Sequence, residues 1–175
     1  MSADVRTALA DCIRTYSREG RLFSPAELPE ASELGPDEWR RLFEETAAEH
    51  PDLRAIAVGA AVGHYSERFM TAAYAGILAG RDTDRPALIV RIVRDESQRY
   101  PRPVPLAHFE APPFELGPGE LSACLDQISA RADAADIART VTSTGRVFLY
   151  SRLYLQPDHA AALAEWIDVG QADNP

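Results

Sequence analysis

The side chains that could do chemistry are present in this sequence, but they are not spaced as catalytic or metal sites require. The four histidines lie far apart in the chain, and none is beside a cysteine at metal-ligand spacing. They are His50, His64, His108 and His159. The chain contains no nucleophile elbow, no phosphate-binding P-loop and no dinucleotide-binding fingerprint. We therefore predict no catalytic residue, no cofactor and no metal ion.

A repeated tyrosine–serine pair is the remaining candidate for acid–base chemistry. The pair Tyr65-Ser66 opens a block that recurs without a gap from Tyr150-Ser151. A tyrosine can act as a general acid. Two identical active sites seldom persist after a duplication, however, so the pair is predicted to have a structural role.

The repeat extends upstream of that block. The hexapeptide at residues 33–38, ELGPDE, returns as ELGPGE at residues 115–120. Earlier still, three residues of the first copy match three of the second: Ile13, Arg14 and Ser17 correspond to Val93, Arg94 and Ser97. The offset grows from 80 (13 to 93) to 85 (65 to 150), so the copies differ by short insertions. We predict a tandem duplication with units at 1–81 and 82–175.

The charge balance is acidic. The chain has 27 acidic residues against 18 basic ones, all arginine, for a net charge of −9. An acidic protein repels polyanions, which disfavours nucleic acid as a partner, although a local basic patch can persist. No apolar run approaches the length of a membrane span, and the first residues lack a signal-peptide pattern. We therefore predict a cytoplasmic protein that does not bind membranes.

Both copies show the same order of predicted elements: helix, short strand, helix, helix, strand, turn, strand and trailing helix. In the first copy these are a helix ending near Gly20, a short extended piece at 21–23, a short helix from Pro25, a helix from Pro36 to about His50, strands at 53–58 and 64–69 around a turn at 59–63, and a helix capped by Thr71. In the second they are a helix at 86–99, a helix from Gly117-Pro118, strands at 137–141 and 147–154 around a turn at 143–146, a helix from Pro157 to near Val169 and a polar tail from Gln171. The fold class is therefore α+β, with small antiparallel hairpins.

This order of elements resembles the winged-helix fold, a variant of helix-turn-helix, over nearly the whole chain. Two linked acidic winged helices are similar to the kleisin-associated subunits of bacterial condensins and to the tandem winged-helix subunits of endosomal sorting complexes. The resemblance implies a protein-binding module, since winged helices in such proteins commonly bind proteins. It carries over no functional residue to this chain.

The charges of the predicted third helices bear on nucleic-acid binding. In a DNA-reading winged helix the third helix enters the major groove, and the wing contacts the backbone. Residues 37–54 carry six acids and three arginines, and residues 119–136 carry four acids and one arginine, so each stretch is net −3. The second hairpin offers three arginines as an alternative nucleic-acid contact: Arg139, Arg146 and Arg152. The competing interpretation is that the three arginines are simply solvated. Arg139 lies on a different strand from the other two, so the pattern does not require that all three share one face.

The segment from Pro101 to Phe114 is rich in proline and aromatic residues, and the first copy lacks most of its prolines. Such segments can bind partners. The residues that would do so are Pro103, Pro105, Phe109 and Phe114. The competing interpretation is a stiff connector that packs the two phenylalanines into the core.

The absence of catalytic motifs, the duplication and the acidic helices together predict a non-catalytic protein-interaction or regulatory subunit. The alternative is a DNA-binding transcriptional regulator that uses the wing of the second copy. A third alternative is an enzyme with a shallow site between the copies, which a polar cluster with perturbed pKa values in a cleft would indicate.

Overall fold

The computed structural model describes residues 3–27 and 34–170 of the chain. Within these ranges it has six α-helices and two small antiparallel sheets, so the chain is an α+β protein. The chain divides into unit 1 (Met1–Thr83) and unit 2 (Asp84–Pro175). None of the helices in the described part of the chain has the length and apolar character that a membrane crossing would need.

The described part of unit 1 is built from three α-helices and one hairpin. Its elements are α1 (Ala3–Arg18), α2 (Pro36–Glu49), β1 (Leu53–Val58), β2 (Ala61–Ser66) and α3 (Ala72–Arg81). Helix α2 begins at a proline, which lacks the N–H that the first helical position leaves unpaired. Helix α3 begins where the Thr71 hydroxyl accepts a hydrogen bond from the Tyr74 N–H at 3.2 Å. Both starts agree with the sequence-based prediction.

The hairpin of unit 1 lies between two helical layers. On one face, α1 and α2 share a core with the residues that flank the hairpin. That core contains Leu9, Ile13, Phe23, Trp39, Leu42 and Leu53. On the other face α3 packs against the hairpin through Tyr65, Met70, Ala75 and Leu78. Both faces of β2 are therefore buried from Gly63 to Ser66, while β1 is more exposed.

The first hairpin turns more tightly than the sequence predicts. The predicted turn at 59–63 and return strand at 64–69 are wrong, because β2 begins at Ala61 and ends at Ser66. Gly59 has a φ of +61°, which glycine adopts without a side-chain clash, so a two-residue connection suffices. The chain leaves the sheet at Ser66, since its carbonyl accepts hydrogen bonds from the N–H groups of Phe69 and Met70 at 3.1 and 3.0 Å.

The predicted short second helix is replaced, within the described residues, by a 3₁₀ turn at Pro25–Glu27. Residues 28–33, including Glu33 of the repeated hexapeptide, lie outside the described part of the chain, as does the predicted polar tail. A single residue, Phe23, pairs with His64 on the free side of β2. This bridge occupies the place of the predicted short strand.

Up to residue 170, unit 2 has three α-helices and a three-stranded sheet. Its elements are α4 (Arg85–Arg99), β3 (Val104–Pro105), α5 (Pro118–Ala130), β4 (Ile137–Val141), β5 (Val147–Ser151) and α6 (Pro157–Glu165). The strand order is β3-β5-β4, with both pairs antiparallel. The predicted strand at 147–154 is too long, because the Ser151 carbonyl accepts from the N–H groups of Tyr154 and Leu155 and turns the chain away. Helix α6 is shorter than predicted and widens into a π turn at Trp166–Gly170.

Candidate functional site

A buried polar network anchors the hairpin of unit 1 to α1. The Arg14 guanidinium donates to both Asp52 carboxylate oxygens, at 3.1 Å from Nε and 2.7 Å from Nη2. The Ser66 hydroxyl donates to the same carboxylate at 2.7 Å, and the Ser17 hydroxyl accepts from the Ser66 N–H at 2.8 Å. The Arg14 guanidinium holds the pKa of Asp52 well below its usual range. The ion pair is therefore intact at neutral pH.

Unit 2 contains the same network with the same residue types. Arg94 donates to both oxygens of Asp136, the Ser151 hydroxyl donates to Asp136, and the Ser97 hydroxyl accepts from the Ser151 N–H at 3.0 Å. The Arg94 guanidinium lowers the pKa of Asp136 as well. The two repeated serines are completely buried, and each hydroxyl is engaged by a carboxylate. This arrangement joins a helix to a hairpin and leaves neither Ser66 nor Ser151 open to a substrate.

The sequence-based search did not predict this role for the two aspartates. Asp52 and Asp136 each stand one residue before the first strand of a hairpin, and their offset of 84 (52 to 136) falls between the offsets found elsewhere in the repeat. Extending the repeat alignment through these strands would have paired them. The partner arginines, Arg14 and Arg94, were already matched in the alignment.

A buried histidine distinguishes unit 1 from unit 2. His64 is 2% exposed, and its ring lies among Trp39, Phe43 and Phe23, with ring centroids 5.5, 4.2 and 6.3 Å away. Its Nδ1 atom is buried without a hydrogen-bond partner among the described residues. Burial lowers the pKa of His64 to about 4. The repeat places Leu149 at this position of unit 2.

The backbone pairing shows which groups of β1 face outward. His64 exchanges two backbone hydrogen bonds with Phe23, at 2.9 and 2.8 Å, so both of its backbone groups point away from β1. Opposite it in the register stands Ala55, followed two residues later by Ala57. Since pairs alternate along an antiparallel ladder, the N–H and C=O groups of Ala55 and Ala57 point away from β2. Both alanines are exposed, and β1 is an edge strand of its two-stranded sheet.

The corresponding edge of unit 2 carries a charge. Leu149 pairs with Val104 on one side and stands opposite Arg139 on the other, so Arg139 occupies the place that Ala55 has in unit 1. Arg139 is exposed. Charged side chains on edge strands discourage pairing with other chains.

The three arginines of the predicted nucleic-acid contact differ in their surroundings. Arg146 forms an ion pair with Asp168 at 2.9 Å, and Arg152 donates to the backbone carbonyl of Ala135. Arg139 lies on the edge of the sheet, as described above. Two of the three guanidinium groups are therefore already engaged within unit 2.

The turn of the second hairpin is tied to the segment that follows α6. The Asp168 carboxylate, with its side chain 2% exposed, accepts hydrogen bonds from the hydroxyls of Thr142, at 2.6 Å, and Thr144. Hydrogen bonds from Thr142 and Thr144 lower the pKa of Asp168. Ser143 donates to Glu165 through its N–H at 2.9 Å and through its hydroxyl. The turn is thus held by two carboxylates.

Replacing Asp168 with alanine should loosen this turn. The three groups that donate to Asp168 would lose their acceptor, so we expect amide hydrogen exchange at residues 142–146 to become about tenfold faster. Hydrogen exchange measured by mass spectrometry tests this. An Asp158→Ala variant, which removes an exposed acid from the first turn of α6, is the control. Equal exchange in the two variants would mean that Asp168 does not restrain the turn.

A shallow cleft of about 320 Å³ lies on unit 2 between α4, Arg131 and Tyr154. Two of its arginines are already neutralised: Arg94 pairs with Asp136, and Arg131 pairs with Asp133 at 3.0 Å and Asp84 at 3.3 Å. Within the described residues, the lining places no histidine, cysteine or serine in the cleft. Across residues 3–27 and 34–170, no group of three or more His, Cys, Asp and Glu side chains could hold a metal ion.

Comparison with known proteins places the chain in a family. A family model described as the YdhW C-terminal domain matches residues 83–172, just over half of the chain. The chain belongs to this family. One relative, named Uncharacterized protein YdhW, from Escherichia coli (strain K12), is 29% identical over 171 residues; the alignment covers 95% of this chain and 80% of that protein. No solved structure matches the chain.

The proline-rich segment lies within the stretch that matches the YdhW C-terminal domain, and most of it packs into unit 2. Pro103, Phe109 and Phe114 are buried, and Pro105 is partly buried as the second residue of β3. The rings of the two phenylalanines meet edge-on, with centroids 5.2 Å apart. This burial is what the connector interpretation predicts. A partner could not contact Pro103, Phe109 or Phe114 unless unit 2 opened.

Proposed function

We propose that this protein is a non-catalytic interaction subunit, made of two duplicated winged-helix-like units, that binds another protein. The strand order supports the winged-helix assignment, because a short strand, the last strand and the first hairpin strand lie side by side in unit 2. Unit 1 has the same order, with Phe23 in place of the short strand. The matching arginine–aspartate–serine networks support the duplication.

The charge of the helices that would enter a DNA groove carries the proposal. Helix α2 holds five acids against two arginines, and α5 holds two acids and no arginine. DNA affinity comes mainly from lysine and arginine on phosphates, so two acidic helices repel the duplex. A protein partner imposes no such requirement, because its surface need not carry negative charge.

The alternative, a DNA-binding regulator, would use the wing of unit 2. Its arginines are Arg139, Arg146 and Arg152, and the exposure of Arg139 favours it. The two carboxylates that hold the turn, Asp168 and Glu165, work against it. They place negative charge beside the position where a wing would meet a phosphate.

A titration of random-sequence duplex DNA separates the two functions. We expect no binding to the native protein at low salt, where electrostatic attraction is strongest. Binding that weakens steeply at physiological salt would overturn the proposal. In that case a variant with glutamine at Arg139, Arg146 and Arg152 would show whether the wing is responsible. The proposal is supported if DNA fails to bind and a defined protein partner, identified after cross-linking in cells of the source organism, binds the purified chain directly.

A further inference from the structure

We infer that the outer edge of β1 binds an extended strand of a partner protein, which adds a third strand to the sheet of unit 1. The inference rests on the proposed function and names the surface and the kind of partner. The outward N–H and C=O groups of Ala55 and Ala57 provide two donors and two acceptors along one line. That pattern is complementary to the backbone of another β-strand.

The available edge begins at Ala55. Leu53 also faces outward, but its N–H donates to the His50 carbonyl at 3.1 Å and its C=O accepts from the Arg54 guanidinium at 2.9 Å. Within residues 3–27 and 34–170, no hydrogen bond reaches the outward groups of Ala55 and Ala57. A partner strand would therefore gain about four backbone hydrogen bonds from this short stretch.

The side chains along the edge leave the backbone open to approach. From Ala55 to Gly63 the sequence contains neither a charged residue nor a proline. The outward positions are alanines, the smallest side chains that a strand can carry, and both are exposed. Natural proteins protect edge strands with charge, proline or a bulge, and β1 has none of these between Ala55 and Val58.

Unit 2 shows what a protected edge looks like on the same framework. Arg139 stands where unit 1 has Ala55, and Val141 stands where unit 1 has Ala57. A long charged side chain at the first position blocks the strand pairing that alanine permits. The two units thus differ at the residue that decides whether the edge is available.

The occupant is a different protein and not a second copy of this chain. Two copies would bring together two chains of net charge −9. Like charge opposes such an approach, and only the backbone hydrogen bonds between the two edges would be available to offset the repulsion. The partner segment should therefore be extended, free of acidic residues and rich in β-branched or aromatic side chains.

Selection of peptides from a random displayed library against the whole chain tests the inference. We expect enriched peptides with alternating apolar residues and no acids. Their synthetic forms should lose about tenfold or more in affinity for Ala55→Arg, which introduces the residue of unit 2. Ala57→Pro should weaken binding similarly, because it removes an outward N–H without breaking a β1–β2 hydrogen bond. Val141→Arg, which places an arginine at the unit 2 counterpart of Ala57, should leave affinity unchanged. Circular dichroism melting shows whether each variant is folded.

Three outcomes of the peptide and sedimentation measurements would overturn the inference. They are the absence of enriched peptides, peptides that bind Ala55→Arg as well as the native chain, and a native dimer in sedimentation that Ala55→Arg dissociates. The last would assign the edge to a second copy. A cross-linked protein partner that binds Ala55→Arg and the native chain equally would remove this surface while leaving the proposed function in place. Binding of duplex DNA would instead remove the proposed function.

Discussion

Replacing Asp52 with alanine should lower the free energy of unfolding of unit 1 by about 3 kcal/mol, because it breaks a buried ion pair from one side. The Asp52 and Arg14 side chains are 8% and 15% exposed, so little water can replace the lost carboxylate. The Ser66 hydroxyl, in a completely buried residue, also loses its acceptor. Arg14 keeps an ion pair with the exposed Asp11 at 3.1 Å, so the expected loss lies at the lower end of the cost of breaking a buried pair.

Urea unfolding followed by tryptophan fluorescence measures this change. The chain has two tryptophans, Trp39 in unit 1 and Trp166 in unit 2, so a Trp166→Phe background leaves a signal that reports unit 1 alone. Glu44→Ala is the matched control, because it removes one exposed carboxylate from the same unit. We expect the control to change stability by less than about 0.5 kcal/mol. A loss below about 1 kcal/mol for Asp52→Ala would mean that the network contributes little to stability.

The corresponding change in unit 2, Asp136→Ala, should cost less. The Arg94 side chain is 33% exposed against 15% for Arg14, so water can solvate it when the carboxylate is removed. Hydrogen exchange of the β4–β5 hairpin gives the readout.

Unit 1 should also lose about 3 kcal/mol of stability as the pH falls from 6.5 to 4, because His64 is buried in its neutral form. Above pH 6.5 the residue is neutral in both the folded and the unfolded chain. Between 6.5 and about 4 the unfolded chain binds a proton on this side chain and the folded chain does not, so acid favours unfolding. Below about 4 both states are protonated, and the contribution of His64 stays constant.

Urea unfolding at a series of pH values in the same Trp166→Phe background tests this prediction. His64→Leu is the matched variant, since leucine occupies the equivalent position of unit 2. We expect its stability to vary much less between pH 6.5 and 4. The contribution of Asp52, whose pKa is depressed, is present above the usual aspartate pKa of 3.8 and is lost only as the pH falls below it. The two effects therefore fall in different windows. Equal pH slopes for the native chain and His64→Leu would exclude His64 as the acid-sensitive group.

The Asp52 network holds in place the strand whose outer edge we propose as the binding surface. Asp52 fixes the start of β1 against α1, through Arg14 and Ser66, while the strand beyond it is free on its outer side. A rigidly held strand presents its backbone groups in a fixed line. That fixed geometry lowers the entropy lost when a partner strand binds.

The sequence by itself determined the α+β class and many of the element starts, because these depend on local signals. Prolines after Gly35 and Gly117 predicted the starts of α2 and α5, and Thr71 predicted the cap of α3. The first strands of both hairpins, 53–58 and 137–141, were also predicted at their observed bounds. Caps and alternating apolar residues act over a few positions, so a single sequence carries them.

Only the tertiary structure decided which residues meet and which strand is left open. The ion pairs join residues 38 and 42 positions apart, Arg14 with Asp52 and Arg94 with Asp136, and no local pattern specifies such distant partners. The return strands end at Ser66 and Ser151, where the backbone turns to bond downstream N–H groups, although apolar residues continue in the sequence. The backbone N–H and C=O groups of Ala55 point outward because His64, opposite it, uses its own backbone groups to pair with Phe23 on the far side of β2. An edge is defined by the strand that is missing beside it, and that information exists only once the chain has folded.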